Sequence, residues 1–193
     1  MWQPVRRSSS VTSGRDAAQG RILSYEEACQ GYGQAPAEFM FVDISAGRLG
    51  ALKTKVPLTK DASGRLFQRA LKELGLSESD EFSENPVIKN CYVTNLVKGR
   101  CLTPTGKNRL PTLKEIEYWW PSFVDEVIKV NPRRILALGD LVWETMYRKW
   151  HVEMLHRVVR VKHPRWYASH GALKSGLNKP FLDMTFTYRM AML

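Results

Sequence analysis

The chain has 193 residues, 44% of them hydrophobic and 10% aromatic, which is enough for one folded domain with a sizeable core. Lys and Arg outnumber Asp and Glu by 29 to 19, a formal net charge of +10, so the surface attracts polyanions; nucleic acid is the leading partner, with a merely solvated basic surface as the bland alternative. No uncharged apolar run reaches the ~18 residues of a membrane span. The N-terminus lacks the apolar core of a secretory signal, and Cys29, Cys91 and Cys101 contain no C-x-x-C pair, so the expectation is a reduced, cytoplasmic protein with no membrane partner.

In chain order, residues 1–21 are polar and basic and read as a flexible arm, and residues 22–193 read as a single domain. Ser24 and Glu27 have the spacing of a capping box and predict a short helix over 24–30. Phe39 to Ile44 is an apolar run interrupted by Asp43 and reads as a buried strand. A basic loop over 48–60 follows, and then Leu66, Phe67, Ala70, Leu71 and Leu74 share one helical face that Gly75 ends. After a charged loop over 77–85, Cys91 to Val97 is the second strand. Thr112 and Glu115 form another capping box, ahead of a long helix that stops before Asn131 and Pro132.

Arg134 to Leu138 is the third strand, Gly139 and Asp140 cap a helix over 141–150, and Val158 to Val161 is the fourth strand. A loop carrying Arg165, Trp166, Tyr167, His170, Gly171, Lys174 and Gly176 leads to a last helix opened by Asn178. Helices alternating with short Val/Ile/Leu-rich strands predict an α/β three-layer sandwich around a mostly parallel four-stranded sheet. Ligands of such sheets bind beyond the carboxyl ends of the strands. Those ends carry Asp43, Asn95, Gly139 and His163.

Pro164 restricts His163 to an extended conformation, so its imidazole projects into a cleft, where it could donate to a developing anion or simply be satisfied at the strand end. Asn95 has an amide suited to reading a base edge, or to capping its strand. Asp43 on an apolar strand needs a compensating partner and could hold water or a cation. No cysteine or histidine spacing matches a metal site, and the glycine-rich phosphate loops are absent, so neither metal nor nucleotide cofactor is expected.

The order and spacing of Ser63 to Leu76, Tyr92 to Lys98, Asn108 to Thr112, Ile135 to Gly139 and His163-Pro164 resemble the uracil-DNA glycosylase superfamily, with its family 4 nearest in arrangement. The resemblance spans roughly 38–171. It implies a glycosylase fold and a DNA N-glycosylase that flips a base and hydrolyses its bond to the sugar, acting as a monomer without a cofactor. Family 4 usually carries four cysteines for an iron–sulfur cluster. Gly99 and Trp119 stand at two of those positions and Cys29 has no nearby mate, so no cluster is expected.

The first family motif, Gly-Glu-Ala-Pro-Gly, falls on Asp43-Ile44-Ser45-Ala46-Gly47, and the Pro-Phe pair that supplies a stacking ring falls on Pro57-Leu58. The resemblance assigns Asp43 to the sugar cation or the water, His163 to the leaving base and Asn95 to base recognition. Ser45, Ala46, Gly47 and Leu58 would line the base pocket. Lys98, Arg100, Lys107 and Arg109 would meet phosphates, and Arg165 and Trp166 would press on the backbone or fill the gap left by the flipped base.

Loss of the ring and the small residues of the first motif point to a bulkier base than uracil. Antiphage members of the superfamily remove glucosylated hydroxymethylcytosine from phage DNA, which suits an enlarged pocket. Uracil excision in base-excision repair, a catalytically silent DNA-binding protein of the same fold, and an enzyme acting on free nucleosides are the alternatives.

Overall fold

The computed structural model describes residues 28–171 and 179–193; the expected N-terminal arm and the capping box at Ser24 lie outside them. Its elements are β1 (Tyr32–Gly33), β2 (Phe39–Ala46), α1 (Ala51–Thr54), α2 (Ala62–Glu73), β3 (Cys91–Arg100), α3 (Leu113–Val130), β4 (Arg134–Leu138), α4 (Asp140–Lys149), α5 (Val152–Leu155), β5 (Val158–Val161), α6 (Pro164–Gly171) and α7 (Lys179–Met192). The four expected strands form one parallel sheet, and the two-residue β1 adds an antiparallel edge, giving the order β1-β3-β2-β4-β5.

Alternate residues of the central strands face opposite sides, as the strand period requires. Phe39 and Phe41 of β2, Val93 of β3 and Leu136 and Leu138 of β4 pack with Phe67, Leu71 and Tyr188 on the α2, α6 and α7 side. Met40, Val42, Leu96, Ile135 and Ala137 pack with Trp119, Phe123, Val127 and Met146 on the α3 and α4 side. Both faces of the sheet are therefore covered, which explains why these strands read as unbroken apolar runs. Edge-to-face contacts of Phe41 and Tyr188 with Phe67 link the first of these layers.

Local chemistry sets the helix ends. Asp61 caps α2 through the Gly64 N–H, and Gly75 at φ +73 takes the left-handed stop position after it. The Thr112–Glu115 capping box opens α3, and Asn131 ends it in the left-handed conformation. Two expectations are corrected. The basic loop 48–60 contains α1, entered through amides of Gly50 and Leu52 on the Gly47 carbonyl and closed by the Lys55 N–H on the Ala51 carbonyl. The stretch after His163 is helical, because Pro164 suits a first helical turn; of the loop expected there, 172–178 lie outside the described residues.

The chain passes from β2 to β3 on one side, then crosses back to β4 on the other, so the strand order reverses between β2 and β4. A crevice opens at such a reversal, beyond the carboxyl ends of the strands.

Candidate active site

A cavity of about 480 Å³ occupies that crevice. Its walls come from the end of β2 (Asp43 to Gly47), the loop through Leu58 and Asp61, the loop at Asn108 and Arg109, the junction of β4 with α4, and His163 with Arg165. Asp43 is 7% exposed, and its Oδ1 accepts from the Ile44 N–H at 2.7 Å and faces His163 Nε2 at 3.2 Å. Nδ1 of His163 accepts from the Arg165 N–H at 2.9 Å, which in the neutral ring leaves Nε2 as the protonated nitrogen. Burial opposes a charge on His163, but Asp43, helped by Asp61, outweighs it and raises the imidazole above its ordinary pKa.

Leu58 is buried, lies on the cavity wall and has φ +51, a left-handed conformation that a branched residue adopts only when its surroundings impose it. Gln68 imposes it: its Nε2 donates to the Leu58 carbonyl at 3.0 Å and to the Tyr32 hydroxyl at 2.7 Å. Ser45, Ala46 and Gly47 form the small-residue wall, and Ser45 hydrogen-bonds the Cys101 thiol, which burial pushes up to about 11. Asp61 is a residue that sequence reasoning missed. Its carboxylate lies so close to Gly47 and Gly50 that a Cβ on either would fall 2.9 or 2.8 Å from Oδ2. Its position three residues before Gly64 signals a helix cap, and only the fold brings that cap to the cavity.

Asn95 pairs with Asp43 across the sheet but does not line the cavity. It is fully buried beneath the floor, where its Nδ2 meets Cys29 Sγ at 3.7 Å and its Oδ1 has no hydrogen-bond partner among the described residues. Cys29 packs in turn on Ala46 and Ala51, which are cavity residues.

Two of the expected phosphate contacts have other work. Lys98 is 0% exposed and binds Glu126 at 2.7 Å, Thr94 Oγ1 at 2.7 Å and the Asn95 carbonyl at 3.0 Å, so it ties β3 to α3 and cannot reach DNA. Arg109 clamps its loop through a bidentate pair with Glu115, both bonds at 2.7 Å, and through the Leu102 and Leu110 carbonyls. Burial would raise the Glu115 carboxyl, but Arg109 and Thr112 together hold it below its usual range. Arg100 and Lys107 are exposed, as are Arg165 and Trp166 in the first turn of α6.

The cysteines do not fit the cluster of family 4. The whole chain has three: Cys29 beneath the cavity floor, Cys91 in the α2-side core and Cys101 on the cavity wall. Gly99 and Trp119, at two of the ligand positions, touch each other: a Cβ on Gly99 would lie 3.2 Å from Trp119 Nε1. An indole packed against bare backbone replaces two thiolates.

The molecule is thus a doubly wound α/β domain with a paired carboxylate and imidazole in the crevice where its strand order reverses. The chain belongs to the uracil DNA glycosylase superfamily, whose sequence profile matches residues 30–183. It is 32% identical over 120 residues to the type-5 uracil-DNA glycosylase of Pyrobaculum aerophilum, covering 61% of this chain and 51% of that protein. It is 30% identical over 132 residues to the type-4 uracil-DNA glycosylase of Archaeoglobus fulgidus, covering 68% and 58%. The chain thus spans about half the length of the curated relatives it matches.

Proposed function

We propose that the protein is a DNA glycosylase that draws one nucleotide out of DNA into the cavity and hydrolyses its N-glycosidic bond, leaving an abasic site. The observation that carries the reading is the Asp43–His163 pair, 3.2 Å apart on the wall of a 480 Å³ cavity, in a chain of net charge +10. Breaking the bond leaves positive charge on the sugar and negative charge on the departing base, so a site should oppose each with fixed charge or donors.

Asp43 supplies the carboxylate. Both of its described contacts fall on Oδ1, so Oδ2 is the oxygen for the sugar cation or the attacking water. His163 supplies the donor, because the Arg165 N–H occupies Nδ1 and keeps the proton on Nε2. An entering base competes with Asp43 for that proton. Arg100, Lys107, Arg165 and Trp166 are the proposed DNA contacts.

For the base we favour a bulky modified pyrimidine such as glucosylated hydroxymethylcytosine, an antiphage role. Leu58 where the superfamily has a stacking ring, and Ser45, Ala46 and Gly47 opposite, support it: a base–aromatic stack worth about 1–3 kcal/mol is lost and space is gained. Asn95, expected to read the base, is fully buried behind the cavity wall, so its proposed role is to support that wall through Cys29 and Ala46 rather than to touch the base. Uracil is the second reading, supported by the names of the relatives.

The test is a panel of oligonucleotides containing uracil, hypoxanthine, hydroxymethylcytosine or its glucosylated form, treated with alkali after incubation. Scission at the modified site supports the reading. Tight, salt-dependent binding with no scission on any substrate overturns it in favour of a DNA-binding protein.

A further inference from the structure

The outer face of α4 continues from the cavity rim. Asp140, the first residue of α4 and part of the cavity wall, holds Arg160 at 2.7 Å and Lys162 at 3.9 Å, two cations on one carboxylate. The Arg160 guanidinium lies over the Trp143 ring, 5.5 Å from its centroid. Trp143 stacks on Tyr147 with centroids 5.0 Å apart and planes at 19°. Tyr147 is 58% exposed, although a tyrosine buried at this position would gain more from the hydrophobic effect.

We infer that this face is a stacking platform for single-stranded DNA leading away from the reacting nucleotide, an inference that rests on the DNA glycosylase reading. Proteins that hold single strands combine cations that track the phosphates with aromatic faces for the bases. Arg160 and Lys162 supply the first and Tyr147, backed by Trp143, the second. From Asp140 to Tyr147 α4 rises by seven residues, about 10 Å. That is about three nucleotide spacings at the ~3.4 Å per nucleotide of a stacked strand. The Tyr147 ring therefore meets a base about three positions from the flipped one. A stacked pair that merely stabilised α4 would have no such length dependence.

The test is fluorescence anisotropy with single-stranded oligonucleotides carrying the reacting nucleotide and a flank of about two or about five nucleotides on either side. The unsubstituted protein should bind about tenfold more tightly when one flank is lengthened, the size of one aromatic stack. Tyr147→Ala should lose that gain and keep the affinity for the short flank, Tyr147→Phe should retain it, and Arg160→Gln should reduce it and lower the salt dependence. Equal length dependence in Tyr147→Ala and the parent overturns the platform, as does an equal effect of Tyr147→Ala on duplex flanks. Excision is scored separately on the short-flank substrate, so failure of the catalytic reading shows there while the platform stands or falls on binding.

Discussion

His163 Nε2 lies 3.2 Å from Asp43 Oδ1 across the end of a strand that belongs to neither residue. β4 runs between β2 and β5, and the pair closes over it at Gly139, where φ is +99 and an added Cβ would lie 3.5 Å from the His163 Cβ. The pair therefore depends on the spacing of three strands, and each partner fixes the other's orientation.

Removing either half should slow excision without unfolding the protein. Asp43→Asn keeps the shape and removes the charge, and His163→Gln keeps a donor and removes the imidazole. Each is expected to lower the single-turnover rate by ~10²–10³-fold, the effect of losing one preorganised charge or donor. Rates within a few-fold of the parent would remove these residues from the chemistry.

The pair also predicts a pH trend in stability. Burial by itself would lower the His163 pKa, but Asp43 and Asp61 raise it above the ordinary value of about 6.5. A folded-state pKa above the unfolded one contributes stability that is complete below about pH 6.5 and is lost as pH rises through the folded value. Thermal melts of the parent and Asp43→Asn should differ most near pH 6 and converge near pH 9. A gap that widens with rising pH would contradict the pairing.

Leu58 should act as a specificity residue. Leu58→Phe restores a ring on the cavity wall and fills space, so excision of uracil relative to the bulky base should rise about tenfold or more, the equivalent of one base–aromatic stack. Competition between the two oligonucleotides reads this ratio directly. An unchanged ratio would place the base elsewhere.

Lys98 tests whether a buried charge can be removed alone. Burial depresses its pKa and Glu126 opposes that shift. Lys98→Ala leaves Glu126 without its cation and should destabilise by about 3–5 kcal/mol, whereas Lys98→Met with Glu126→Leu should recover much of the loss. Denaturant titration distinguishes the two, and equal losses would show that packing rather than charge dominates.

Gly99 and Trp119 make a last prediction. Cysteine at 99 presses its Cβ on the Trp119 indole, so Gly99→Cys should destabilise by about 1–3 kcal/mol in chemical denaturation, as overpacking does. The same variant should take up no iron during aerobic or anaerobic expression, since two of four thiolates would still be missing. Stoichiometric iron in either protein would overturn the fit argument.

Much of this molecule is legible locally. β4 and β5 have the expected bounds, and Thr112 with Glu115, Gly75 and Asn131 start and stop helices as their side chains dictate, because those choices depend on neighbours within a few residues. Asp43 and His163 were visible as polar residues at the ends of apolar strands. The burial of Lys98 was not. Lys98 lies at the basic end of β3, and nothing near it in the chain reveals that Glu126 waits on α3.

Asp61 shows the same limit from the other side. Its capping role is written in the chain, but its approach to Gly47, Gly50 and the cavity is not. Sequence alone determined the alternation of strands and helices and the chemistry carried at the strand ends, because hydrophobic period and capping are short-range. Only the tertiary structure decided which charges face the cavity and which are neutralised inside, because a side chain's partners are set by strand order and helix packing across gaps of tens of residues.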